Sequence, residues 1–197
     1  MMLSDGVYGV PQGKMAVVVT HLEMLSRPVL RDITPPQGVR FRQITPTPQE
    51  YRALFNRVGT DWLWYGRLKL SDEALAGTLD DPKVHTFTLT RDGIDSALME
   101  LDFRQDRHCE LAYFGLAASL IGTGAGRYLM NEATTRAWAP GVSRFHVHTC
   151  SNDSAQALEF YRRSGFTAYK REVEIDDDPR LAGPLPRNAG AHIPIIE

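Results

Sequence analysis

Hydrophobic and polar positions alternate with a period of two through residues 86–116. Phe87 and Leu89 alternate with Thr86, Thr88 and Thr90. After Asp92-Gly93, a two-residue hairpin signal, Ala97, Met99, Leu101 and Phe103 fall on one face of a second strand. Leu98, Glu100, Asp102 and Arg104 fall on the other. A polar turn over 105–108 leads into a third strand over 109–116. Side chains on successive strand residues point to opposite faces, so this pattern predicts half-buried strands joined by short links, an antiparallel meander.

The period then lengthens. Leu129, Ala133 and Ala137 recur every four residues, which predicts a helix over 124–138 with a buried face, closed by Pro140-Gly141. Phe145, Val147 and Thr149 share one side of a strand over 142–150. Asp153 or Ser154 is the expected cap of a helix through Arg163, which Ser164-Gly165 ends. Phe166 opens a last strand toward residue 175. Ahead of the meander, a strand over 39–44 precedes a helix over 49–58, capped by Thr45 or Thr47 with Pro48 in its first turn. Ser71-Asp72-Glu73 starts a short helix ending at Leu79.

Residues 1–37 read as an N-terminal extension with one candidate strand at 15–20, joined by Pro35-Pro36-Gln37-Gly38. Residues 38–176 read as the main domain and 177–197 as an irregular tail. No internal repeat or low-complexity tract is present.

Composition narrows the class. A length of 197 residues suits one domain, and 43% hydrophobic with 23% charged residues is the balance of a soluble globular chain. A net charge of −2 gives no electrostatic basis for binding bulk nucleic acid or an anionic membrane. Two cysteines, Cys109 and Cys150, are too few for a disulfide scaffold, so a reducing cytoplasm is the expected location. The apolar run at 15–19 is too short for a membrane span or a signal-peptide core.

The chemistry concentrates in a strand, glycine turn and helix. In Ile121-Gly122-Thr123-Gly124-Ala125-Gly126-Arg127 the glycines let backbone N–H groups approach a phosphate closely, and the helix start adds partial positive charge. Gly126 is followed by Arg127-Tyr128 rather than by Lys and Ser or Thr, which excludes a P-loop. The antiparallel strands before the turn exclude a dinucleotide-binding βαβ unit.

Together with Glu110-Leu111-Ala112-Tyr113-Phe114-Gly115-Leu116, this turn resembles the GNAT superfamily of acetyl-CoA-dependent N-acetyltransferases. Gly124 and Gly126 match the family's Gln/Arg-x-x-Gly-x-Gly/Ala pattern, with Ile121 in place of Gln or Arg. Ala157-Leu158-Glu159-Phe160-Tyr161-Arg162-Arg163-Ser164-Gly165-Phe166 is similar to a second family block, "A-x-x-x-Tyr-x-x-x-Gly-Phe". Where the family often carries Asn seven residues before that Tyr, Ser154 stands here, with Asn152 two places earlier.

The resemblance covers residues 39–175. It implies an α+β (α/β/α) fold with a mixed, mostly antiparallel sheet flanked by helices. It implies acetyl-CoA as co-substrate and an amine as acceptor, with no nucleic acid or membrane partner. Dimers are common in the family, so a homodimer is among the assemblies it allows. The pantetheine arm would pair with backbone of Phe114, Gly115 and Leu116, and the N–H of Leu116 would stabilise the oxyanion. Residues 121–127 would hold the pyrophosphate, with Asn152 or Ser154 as a further contact.

Aminolysis of a thioester also calls for a base and a proton donor to sulfur. Glu110, six residues before Leu116, fits the family's base acting through water; it reads equally as an exposed strand carboxylate. Glu100 is a second choice. Tyr161 fits the acid, against a packed core tyrosine. His146 and His148, two apart on one strand without a third ligand, read as solvated or packed side chains, with lining of the acceptor site as the alternative, and Cys109 and Cys150 as plain thiols. Trp62, Trp64 and Tyr65 fit an acceptor pocket or packing beneath the meander, and Asp61 could pair with an amine. A CoA-binding sensor without turnover, and an α/β domain that binds no CoA, are the competing functions.

Overall fold

The computed structural model describes residues 3–138 and 141–197. Pro140, assigned above to the end of the central helix, lies outside the described residues. The strands are β1 (Lys14–Met24), β2 (Val39–Ile44), β3 (Val84–Arg91), β4 (Ile94–Asp95), β5 (Ala97–Asp102), β6 (His108–Leu116), β7 (Arg144–Cys150) and β8 (Thr167–Asp177). The helices are α1 (Pro48–Gly59), α2 (Asp72–Leu79), α3 (Ala125–Ala137) and α4 (Ala157–Arg163). The strands form one sheet in the order β2-β3-β5-β6-β7-β1-β8, with the short β4 paired to β3.

Local signals set most of these elements. Thr47 caps α1 in a full capping box with Glu50, whose side chain accepts from the Thr47 amide at 2.9 Å. The Ser71 hydroxyl accepts from the amide of Ala74 at the start of α2. Asp92 and Gly93 both have positive φ, 52° and 77°, as the tight turn between β3 and β4 requires. The meander β2-β3-β5-β6 is antiparallel throughout, and β6 and β7 run parallel.

Helices α3 and α4 cover one face of the sheet over Leu22, Met99, Leu111, Leu129 and Phe145, all within 1% of full burial. Helices α1 and α2 cover the other with Tyr51, Phe55, Leu75 and Leu98. The result is an α/β/α sandwich on a mixed, mostly antiparallel sheet, as expected.

Two local expectations are corrected. The polar face assigned to Leu98, Glu100, Asp102 and Arg104 is not solvated along β5. Every residue of β5 is buried, because α1 lies over that face and the Tyr51 hydroxyl donates to Glu100 at 2.6 Å. Neither Asp153 nor Ser154 caps α4, whose N-cap is Gln156 without a side-chain bond. Asp153 instead accepts from the Thr149 hydroxyl at 2.6 Å and from the Cys150 amide at 3.0 Å, closing the turn after β7.

Within residues 1–37, the strand expected at 15–20 forms as the longer β1. It is an inner strand, antiparallel to both β7 and β8. The tail beyond Asp177 is irregular but anchored. Arg180 and Asp178 form a buried ion pair, and the Arg180 guanidinium also donates to the carbonyl of Ile193 at 2.8 Å. Leu185 and Ala189 from the tail pack on Leu63.

Candidate active site

The site begins with a register change. Glu100 pairs with Tyr113, but the next residue, Leu101, pairs with Leu111, leaving Ala112 as an extra residue in β6. A bulge of this kind bends its strand. On its other side β6 pairs with β7 only from His108 to Glu110, opposite Arg144 to His146. Beyond that rung the strands separate, and the β6 edge over 111–116 faces an open cleft without a strand partner among the described residues.

The cleft is a cavity of about 1070 Å³ that passes between β6 and β7. Among its lining residues are Phe114, Gly115, Leu116, Ile121, Gly122, Thr123, Gly124, Gly126 and Arg127, and Asn152, Ser154 and Tyr161; Gly115 faces α1, and the Asn152 side chain reaches Met15 of β1. Of the residues expected to hold the cofactor, only Ala125 does not line it; Ala125 is fully buried in the first turn of α3. Gly124 is the N-cap of α3 with φ 89°, a left-handed conformation suited to glycine. The amide of Thr123 bonds the Leu120 carbonyl and that of Arg127 the Gly124 carbonyl. The amides of Gly122, Gly124 and Gly126 have no protein acceptor among the described residues. An ideal Cβ on Gly122 or Gly124 would meet nothing within 4 Å, so the space over the turn is open. Free amides at a helix start facing open space form an anion cradle, and this set fits the pyrophosphate of coenzyme A.

On the α1 side the cleft widens into a second chamber. Trp62, Trp64, Tyr65 and Tyr113 supply its rings, Met15, Val17 and Val19 its β1 wall, and Glu174 and Asp176 its β8 wall. Gly115 lets Trp64 lie flush on β6: a Cβ there would stand 2.8 Å from the Trp64 ring. The Trp64 indole donates to Asp153 at 3.4 Å. Leu63 holds the loop in place with φ 53°, buried under the tail residues Leu185 and Ala189.

The expected acid and base fall on opposite faces of the sheet. Tyr161 is buried against Phe114, Phe160 and Phe166 on the α4 side. Burial, with a contribution from Asp153, raises its pKa and keeps the phenol protonated. Glu110 lies on the α1 face and does not line the cavity. Its Oε1 is 3.7 Å from Nδ1 of His148, which does line it. The His148 contact holds the Glu110 carboxyl below its usual range.

Glu100, the second-choice base, is excluded from the cleft. It is fully buried, paired with Arg67 and bonded by Tyr51. Asp61 is exposed and lines no part of the cavity. Cys150 lines the chamber, but burial raises its pKa and keeps the thiol protonated.

Several lining residues carried no motif in the sequence. The β1 wall was visible only as a candidate strand at 15–20 without a pairing partner. Residues Leu30, Arg31 and Ile33, between β1 and β2, also line the cavity, and the Asn131 side chain of α3 donates to the Arg31 carbonyl at 2.7 Å.

A bulged strand splayed from its parallel neighbour, with a glycine cradle beneath, defines the class of CoA-dependent acyltransferases to which the sequence motifs pointed. The model of the acetyltransferase (GNAT) family matches residues 47–166, and the chain belongs to that family. Among solved structures it is similar to a GCN5-related N-acetyltransferase from Sphaerobacter thermophilus, with 16% identity, a TM-score of 0.60, and coverage of 86% of this chain and 53% of that one. It is also similar to the PaiA N-acetyltransferase of Thermoplasma acidophilum in complex with coenzyme A, with 14% identity, a TM-score of 0.55, and coverage of 71% and 98%. An aminoglycoside acetyltransferase from an uncultured soil metagenomic sample, in complex with trehalose, shares 13% identity at a TM-score of 0.56 over 70% and 93%. At these identities the likeness is one of fold. The chain spans less than two thirds of the length of the first structures it matches. No curated protein matches it. No helix among the described residues is long and apolar enough to cross a membrane.

Proposed function

We propose that this chain is an N-acetyltransferase that moves an acetyl group from acetyl-CoA to a primary amine. The observation that carries the reading is the unpaired β6 edge over 111–116 running directly into the free amides of Gly122, Gly124 and Gly126. The edge can pair with the amide groups of a pantetheine arm while the cradle takes the pyrophosphate. Asn152 and Ser154 also line the cleft.

In the proposed reaction, the cleft aligns thioester and amine, which by itself lowers the barrier. The Leu116 amide is assigned to the developing oxyanion. Tyr161 delivers a proton to the departing sulfur, and Glu110 is assigned to the base side, where it reaches the cavity through His148. The aromatic rings and carboxylates of the α1-side chamber suit a protonated amine on arrival. Two free thiols are consistent with a reducing cytoplasm.

Isothermal calorimetry with acetyl-CoA and release of free CoA thiol across a panel of primary amines test the reading. Binding with amine-dependent thiol release is the expected result. Binding without turnover would leave a CoA sensor, and absence of binding would remove the cradle assignment.

A further inference from the structure

The β6–β7 ladder ends at the pair Glu110 and His146. His148 is the next residue of β7 on the same face, one step beyond the last rung, where the cleft opens. Its ring lines the cavity, whereas the Glu110 carboxylate stands behind it. We propose that His148 takes the proton from the attacking amine, and that Glu110 is a positioning residue acting on the His148 ring. This inference rests on the acetyltransferase reading and assigns the base within it.

The geometry supports separate roles. Glu110 Oε1 faces Nδ1 of His148 at 3.7 Å, one small shift short of a direct bond. A proton held on Nδ1 toward the carboxylate leaves Nε2 as the basic nitrogen. The His148 side chain keeps 51% of its exposure, so a substrate can reach it. The other β7 histidine cannot serve, because His146 does not line the cavity and its Nε2 is buried without a partner among the described residues. His21 of β1, 5.8 Å from the His148 ring, is held by Glu172 at 2.8 Å.

The charged groups facing His148 come from each neighbouring element. They are Glu110 on β6, His146 on its own strand, His21 on β1, Glu174 on β8, and Asp153 in the turn after β7. Glu110 first, then Asp153 and Glu174, raise the His148 pKa against the opposing effect of burial. Glu110 therefore tunes the ring as well as aiming it.

Tyr161 lies across the sheet, on the α4 side. The amine nitrogen enters from the chamber and forms the C–N bond at the acetyl carbon. Its proton passes to Nε2 of His148. The C–S bond breaks, and the sulfur takes the Tyr161 hydroxyl proton. His148 then returns a proton to solvent and Tyr161 regains one, so an amine and a thioester become an amide and a thiol.

The test uses the full chain with acetyl-CoA and whichever panel amine turns over fastest. It compares wild type, His148→Gln and Glu110→Gln by thiol release across pH 5.5–9.5, with acetyl-CoA affinity measured by calorimetry as a check on folding. Wild-type kcat/KM should rise with pH through the His148 ionisation. His148→Gln should lose that limb and about 10²-fold in kcat, the scale of a removed general base, with acetyl-CoA affinity retained. Glu110→Gln should keep the limb but move it to lower pH, because a carboxylate that raises the ring pKa is gone, and should lose less rate. An unchanged limb in His148→Gln, or a greater loss in Glu110→Gln than in His148→Gln, would overturn the assignment and return the base role to Glu110 through water. A wild-type chain that acetylates no amine would instead overturn the acetyltransferase reading itself.

Discussion

The Tyr65 hydroxyl donates to Oδ2 of Asp176 across 2.7 Å, and the Lys69 ammonium reaches the same oxygen at 2.9 Å. These contacts tie the aromatic loop to the end of β8, closing one side of the α1-side chamber. The Tyr65 bond first, then Lys69, holds the Asp176 carboxyl down from 3.8 to about 2. A carboxylate depressed in the folded state stabilises above its unfolded pKa, and that contribution fades as pH falls through the folded value. The tie is therefore fully present above about pH 4 and lost toward pH 2. Carboxyl-carbon NMR of Asp176 should show a midpoint near 2, rising in Tyr65→Phe; a wild-type midpoint at 3.8 would show that the loop is untethered.

Gly115 should not tolerate a methyl group. An ideal Cβ would fall 2.6 Å from Val58 Cγ1 and 2.8 Å from the Trp64 ring, with α1 fixing one contact and the chamber wall the other. Gly115→Ala is expected to cost about 1–3 kcal/mol, the usual range for overpacking, read from urea unfolding. Full stability would mean that Trp64 moves freely.

Gly124→Glu should abolish acetyl-CoA binding. The side chain would be strained at φ 89° and would place a carboxylate over the free amides. Calorimetry showing wild-type affinity in this variant would refute the cradle.

Tyr161→Phe removes only a hydroxyl from a packed ring. Turnover should fall by about 10²-fold, the lower range for a lost general acid, while acetyl-CoA affinity stays close to wild type. Equal turnover in steady-state assays would reduce Tyr161 to a core residue.

Arg180→Ala should destabilise the chain by about 3–5 kcal/mol, because it leaves the buried Asp178 carboxylate unpaired. It also removes the guanidinium bond to the Ile193 carbonyl that fastens the tail over Leu63. Urea titration followed by tryptophan fluorescence checks this, since Trp62 and Trp64 flank Leu63.

Short-range signals are legible in the sequence because both partners lie within it. Thr47 with Glu50 at α1, Asp92-Gly93 between β3 and β4, and Leu129, Ala133 and Ala137 along α3 each act through neighbours within a few residues. The glycine turn at 121–127 is legible for the same reason, because glycine conformation and a helix start are set by neighbouring residues. Asp153 shows where such reasoning fails. Its type suits an N-cap, but the Thr149 hydroxyl and Cys150 amide claim its carboxylate. A capping side chain is also a turn-forming one, and the competing partners decide.

The sequence by itself determined the meander, the central helix, the glycine turn before it and the family, all of which rest on local periodicity and ordered motifs. Only the tertiary structure decided that β1 lies between β7 and β8, that Glu100 is sealed under α1, and that His148 rather than Glu110 faces the cleft. Strand order and pairing join residues more than a hundred positions apart, as between His21 and His148. The alternation along one strand says which residues share a face, but not what covers that face.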